Sequence, residues 1–95
     1  MIVGVLCITL RFPGCRSLKE KRASLRPLIA GIQHTFHASV AEVADQNACQ
    51  QGVIGVSKVF SDKKILMREL SKIKNWINIK TCDSVLAIEE EIIHY

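Results

Sequence analysis

Apolar and polar positions along this chain fall into short, sharply bounded runs. Ile2–Phe12 is rich in Val, Ile and Leu and stops at Pro13-Gly14, which predicts a strand closed by a turn. Ser17-Leu18-Lys19-Glu20 has capping-box spacing: the Ser17 hydroxyl should accept from the N3 amide while Glu20 reaches back to the cap amide. Behind it, Leu18, Leu25, Leu28, Ile29, Ile32 and Phe36 recur on one helical face. Pro27 should kink that helix by removing the bond to the Ala23 carbonyl. Ser39–Ala44 alternates as a short strand, Asp45–Gly52 is a polar connection, and Val53–Phe60 is a β-branched strand. Ser61 is expected to cap a second helix with Leu66, Leu70, Ile73 and Ile77 as its stripe and Trp76 beside it. Asp83-Ser84 should then turn the chain into a last strand, Val85–Ile93.

The order β-α-β-β-α-β predicts an α+β, ferredoxin-like two-layer sandwich. Right-handed crossovers place the four strands in the antiparallel order 4-1-3-2 with both helices on one face. At 95 residues the chain is read as a single domain, 1–95, large enough to bury one core without disulfides or metal. On the first strand Leu6, Ile8, Leu10 and Phe12 are expected under the helices, leaving Val5, Cys7, Thr9 and Arg11 on the open face. On the third strand, an unpaired Lys58 cannot point into a core. That puts Ile54, Val56 and Phe60 with Lys58 on the open face and Val53, Gly55, Ser57 and Val59 beneath the helices. Val5, Cys7, Ile54 and Val56 would then form an apolar patch, which predicts a homodimer covering that face, with Glu42 and Lys58 at its rim.

Charge adds a second surface. Between Arg11 and Arg26 lie Arg11, Arg16, Lys19, Lys21, Arg22 and Arg26, opposed only by Glu20, so this stretch accounts for all of the chain's net +4. At 100° per residue Lys19, Arg22 and Arg26 form one stripe, and Arg16 and Ser17 sit at the helix N-terminus, where free amides favour an anion. The four cysteines show neither a C-x-x-C pair nor zinc spacing, and no basic segment precedes the apolar start. The expected compartment is cytoplasmic, with reduced thiols, no cofactor and no membrane association.

M-I-V-G-V-L-C-I-T-L-R-F-P-G, S-L-K-E-K-R, S-V-A-E-V-A-D-Q and V-I-G-V together resemble the YlxP-like family of small bacterial proteins. The resemblance spans most of the chain, and S-L-K-E-K-R and V-A-E-V-x-D-Q are its most specific parts. It implies a ferredoxin-like fold and, from the translation genes that neighbour the family, work on RNA or the ribosome; it brings no catalytic residues. Where the family tends to carry a Trp and then a basic residue after D-Q, this chain has Cys49 and Gln51. Where its first helix commonly ends Arg-rich, Gln33, His34 and Thr35 stand here.

Other chemistries fit less well. An RRM-like mode needs aromatic residues on the third strand, and none occupies its centre. Gly14-Cys15-Arg16-Ser17 lies where an acylphosphatase has its phosphate cradle, but the third strand lacks the Asn that positions water. A cysteine phosphatase would need Arg six residues after Cys15, where Lys21 stands. His34 and His37 want a third metal ligand, and Glu89-Glu90-Glu91 alternates in direction along an expected edge strand. The chain is therefore expected to be a non-catalytic RNA- or ribosome-associated module, without metal, that holds phosphates with Arg11, Arg16, Ser17, Lys19, Lys21, Arg22 and Arg26. The alternative is a homodimeric interaction or small-ligand-sensing domain without nucleic-acid binding.

Overall fold

The computed structural model describes residues 1–82 and 84–95, so the expected turn residue Asp83 lies outside the described residues. The elements run β1 (Ile2–Arg11), α1 (Leu18–Phe36), β2 (Ser39–Ala44), β3 (Gln51–Phe60), α2 (Lys63–Thr81) and β4 (Val85–His94). They form one sheet of order β2-β3-β1-β4 with every neighbouring pair antiparallel. This is the ferredoxin-like arrangement that the element order predicts.

The helix starts follow local chemistry. Ser17 Oγ accepts from the Glu20 amide at 3.1 Å, while Glu20 Oε2 accepts from the Arg16 amide at 2.8 Å, one residue upstream of the expected cap amide. For α2 the cap is Asp62 rather than Ser61. Its Oδ1 accepts from the amides of Lys64 at 2.8 Å and Ile65 at 3.4 Å. A carboxylate at that position also meets the positive end of the helix dipole, which a hydroxyl does not match. α1 runs through Pro27 as one element, and His37 closes it in the left-handed region at φ 52°.

Leu6, Ile8 and Leu10 of β1 are fully buried against Leu25, Ile32, Leu66, Leu70, Ile73 and Ile77 of the two helices. Two approaches of backbone to side chain tighten this layer. A Cβ on Gly4 would lie 2.8 Å from Leu66, and one on Gly31 only 2.4 Å from the Trp76 ring, so Gly31 is what lets α1 meet α2 at Trp76.

The expected phase of β3 is inverted. Gly4 stands opposite Lys58, Leu6 opposite Val56 and Ile8 opposite Ile54, and directly opposed residues share a face. Ile54 and Val56 are accordingly 0% and 1% exposed, beneath the helices, and cannot belong to an open-face dimer surface. Lys58 joins them because it is not unpaired. Its stem runs along the edge of the core, its Nζ donates to the Phe36 carbonyl at the end of α1, and Glu69 of α2 lies 3.2 Å away. Glu42 likewise points under the helices rather than to a rim. The open face instead carries Val3, Val5 and Cys7 of β1 with Val53, Gly55, Ser57 and Val59 of β3, and Val43 of β2 covers Gly55.

Replacing Lys58 by Met keeps the apolar stem and removes the charged bond to the Phe36 carbonyl. Urea unfolding should show a loss of about 1.5–3 kcal/mol, the range for a hydrogen bond made by a charged group. A change within about 0.5 kcal/mol, as for an ordinary surface position, would mean that Lys58 does not tie β3 to the helices.

Candidate nucleic-acid interface

The basic segment leaves β1 at Arg11, turns through Pro13-Gly14 and enters α1 after Ser17. A Cβ on Gly14 would meet nothing within 4 Å, so this turn stands open to solvent. Arg11, Arg16, Ser17, Lys19, Arg22 and Arg26 are all exposed. None of these five cations lies within 4 Å of a carboxylate among the described residues, whereas Lys21, Lys58, Lys72 and Lys74 each do. Glu20, the one acid inside the segment, is turned onto the Arg16 amide.

Lys21 departs from the expected set. It is 1% exposed and points into the protein, so it cannot reach an external phosphate. Its ammonium donates to the Asp45 and Ala48 carbonyls at 2.6 Å each, and Glu42 Oε2 lies 2.8 Å away as its counter-ion without a hydrogen bond of its own. The sequence carried the reason. Lys21, Leu25, Leu28, Ile32 and Phe36 follow one another at spacings of three and four, so Lys21 heads the core stripe rather than the charged one. A Cβ on Gly52 would come within 3.2 Å of Lys21 Cε and 3.4 Å of the Phe12 ring, so Gly52 leaves room for both side chains.

Around this ammonium the connection between β2 and β3 folds onto the β1–α1 turn. Asp45 adopts φ 56°, and its carbonyl accepts from both Lys21 Nζ and the Ala48 amide. Gln51 Nε2 donates to Asp45 Oδ2 at 2.8 Å, the Cys49 thiol donates to the Cys15 carbonyl at 3.6 Å, and the Phe12 amide donates to the Gln50 carbonyl at 2.8 Å. S-L-K-E-K-R and V-A-E-V-A-D-Q, far apart in sequence, thus meet through Lys21 and Glu42. Cys49 belongs to the loop that this contact fixes, and Gln51 opens β3 directly after it.

Sequence reasoning missed the depressions beside the corner. One, of about 330 Å³, is walled by Arg11, Phe12, Pro13, Gly14, Cys15 and Glu20. The other, of about 510 Å³, opens between α1 and α2 over Phe12, Pro27, Leu28 and Trp76. Trp76 does pack, edge-on to Phe36 at 6.4 Å, but it also faces this groove. His34 and His37 are exposed, and among the described residues no group of three His, Cys, Asp or Glu is placed to hold a metal ion. Glu90 sits opposite Leu6 and pairs with Lys74 at 3.0 Å, while Glu89 and Glu91 point to the other face. Among the described residues no helix is long and apolar enough to cross a membrane.

Lys21→Met should lower stability by about 3–5 kcal/mol in urea unfolding, because it strands the Glu42 carboxylate and the Ala48 carbonyl. Lys19→Met, one turn-face away on the exposed stripe, should change stability by no more than about 0.5 kcal/mol. Equal effects at the two positions would contradict the division between a buried and a surface cation.

Comparison with known proteins agrees with this geometry. The chain is 32% identical over 62 residues to the uncharacterized protein YlxP of Bacillus subtilis (strain 168), covering 65% of this chain and 67% of that one. Among solved structures, a Deinococcus radiodurans protein assigned to the antibiotic biosynthesis monooxygenases superposes with a TM-score of 0.66 at 13% identity, over 100% of this chain and 92% of that one. Rv0793 of Mycobacterium tuberculosis gives 0.59 at 12% identity, over 100% and 95%. SnoaB, a cofactor-independent oxygenase of Streptomyces nogalater, gives 0.53 at 8% over 99% and 92%. At these identities the likeness is one of fold and carries no activity across. The model of the family described as "Protein of unknown function (DUF503)" matches residues 3–90, and the chain belongs to that family.

Proposed function

We propose that this protein binds structured RNA, or RNA within a ribosomal subunit, by holding backbone phosphates at the corner formed by Arg11, Arg16, Lys19, Arg22 and Arg26. One observation carries the reading. These five exposed cations meet no protein carboxylate among the described residues, while the neighbouring cation that is paired, Lys21, is the buried one. Five uncompensated charges around an open turn raise the local potential and attract a polyanion. The N-terminal end of α1 adds its partial positive charge at Ser17. The chemistry proposed is binding only.

Phosphate contacts release counterions, so affinity should fall steeply with salt and discriminate little among sequences. With about four or five phosphates neutralised, binding to a structured RNA and to ribosomal subunits should weaken by roughly two to three orders of magnitude between about 50 and 200 mM salt. Arg16→Glu, Arg22→Glu and Arg26→Glu together should abolish binding and leave the urea midpoint essentially unchanged, since all three side chains are exposed. Wild-type protein that binds neither RNA at low salt, or a triple variant that binds as well, would refute the proposal.

A second reading is favoured by the open sheet face, where Val43 and Val59 are each 55% exposed and Ile93 is 41% exposed beside Val3 and Val5. A second copy of the chain would cover this patch through a two-fold contact. Light scattering at high micromolar concentration should then give twice the 10.6 kDa mass, and Val59→Lys should return it to the single-chain value. A single-chain mass for the wild type would exclude that pairing.

A further inference from the structure

The groove between α1 and α2 adjoins the basic corner on its Arg11 side, while Lys19, Arg22 and Arg26 lie on the other flank of α1. We propose that it receives an unpaired nucleobase of the same RNA, an inference that rests on the phosphate-binding reading of the corner. The two depressions adjoin: Phe12, Ser24 and Ser84 line both. A nucleotide with its phosphate at Arg11 and the Pro13-Gly14 turn would therefore lie next to an aromatic-walled slot.

The slot suits a flat heteroaromatic group. Its volume of about 510 Å³ falls within the usual range for small-ligand clefts. Phe12, Pro27, Leu28 and Trp76 supply the apolar surface. Phe12 is held in place by its packing at Gly52, and Trp76 by Gly31 and the edge of Phe36, so these walls are set before a ligand arrives. The Trp76 ring already attracts a cation: Lys80 Nζ stands 5.7 Å from its centroid. Lys80 is exposed, and moving it from the ring to a phosphate would let a base stack in its place. Ser24 on the rim offers a hydroxyl to a base edge. An apolar peptide or acyl chain would leave that lysine and hydroxyl unmatched, and Arg11 in the adjoining depression, with Lys80 in the groove, calls for a ligand with anionic groups. An aromatic base joined to a phosphodiester chain satisfies both halves. The acid in the shared wall, Glu20, already has one oxygen on the Arg16 amide.

Trp76 is the only tryptophan in the chain, so its fluorescence reports on this groove directly. The full chain should be titrated at low salt with a fluorescently labelled oligoadenylate of about eight nucleotides. An abasic ribose-phosphate oligomer of equal length serves as the partner probe. Anisotropy should show both binding with the same salt slope, the base-bearing strand roughly tenfold tighter, consistent with one stacked base. Only the base-bearing strand should quench Trp76. Pro27→Met, at an exposed helix position that lines the groove but not the depression at Arg11, fills the groove; it should erase the tenfold difference and the quenching while leaving the salt slope intact. Equal affinities without quenching would overturn the base site and leave the phosphate corner standing. Failure of both strands to bind would overturn both readings. Free adenosine quenching as strongly as the oligomer would also overturn the proposal, making the groove an independent small-ligand site.

Discussion

One buried ammonium organises the end of this molecule that carries its surface charge. Lys21 is taken out of water at the head of the α1 core stripe, where an unpaired charge would be severely penalised. It is tolerated because other elements supply its partners: hydrogen bonds to two carbonyls of the loop after β2, and the Glu42 carboxylate of β2 as counter-ion. The requirement runs both ways. The Asp45 and Ala48 carbonyls need a donor, and Lys21 reaches them only if α1 and the β2–β3 connection are closely packed. Gly52 makes that packing sterically possible. Such an arrangement specifies one geometry more than it adds stability, because replacing a complete buried ionic cluster with apolar groups often costs little.

The consequence for function is spatial. With Lys21 turned inward and Glu20 engaged at the cap, the remaining cations are left on the turn and the first turns of α1 with no carboxylate within 4 Å among the described residues. Rigid placement matters for a phosphate-binding surface, because each cation held in position loses less conformational freedom on binding. The same packing sets Phe12 between the two depressions and so joins the charged corner to the aromatic groove. Trp76 contributes to that groove while remaining part of the interface between the helices, with Gly31 providing the space.

The fold was legible from the alternation of β1, the two helical stripes and the capping signals, because each has one clearly apolar side. β3 was not. Val53 and Val59 on one side and Ile54, Val56 and Phe60 on the other are comparably apolar, so alternation cannot choose between faces. The remaining cue, Lys58, misleads because a lysine can lay its stem along a core and send its ammonium to a helix carbonyl. Lys21 was assigned to the surface by counting charges, although its spacing from Leu25, Leu28 and Ile32 places it on the core side. The Asp62 cap differs from the expected Ser61 by one position, since either residue type can begin a helix. The groove had no local signature at all: Phe12 and Trp76 come from opposite ends of the chain and meet only through the packing of α1 on α2.

Lysine-selective reductive methylation, read by mass spectrometry with and without a structured RNA at low salt, tests both halves of this account at once. Lys21 should resist modification in the native protein whether or not RNA is present. Lys19 should label readily in the free protein and be protected by RNA. Labelling of Lys21 at the rate of Lys19, or labelling of Lys19 unchanged by RNA, would contradict the account.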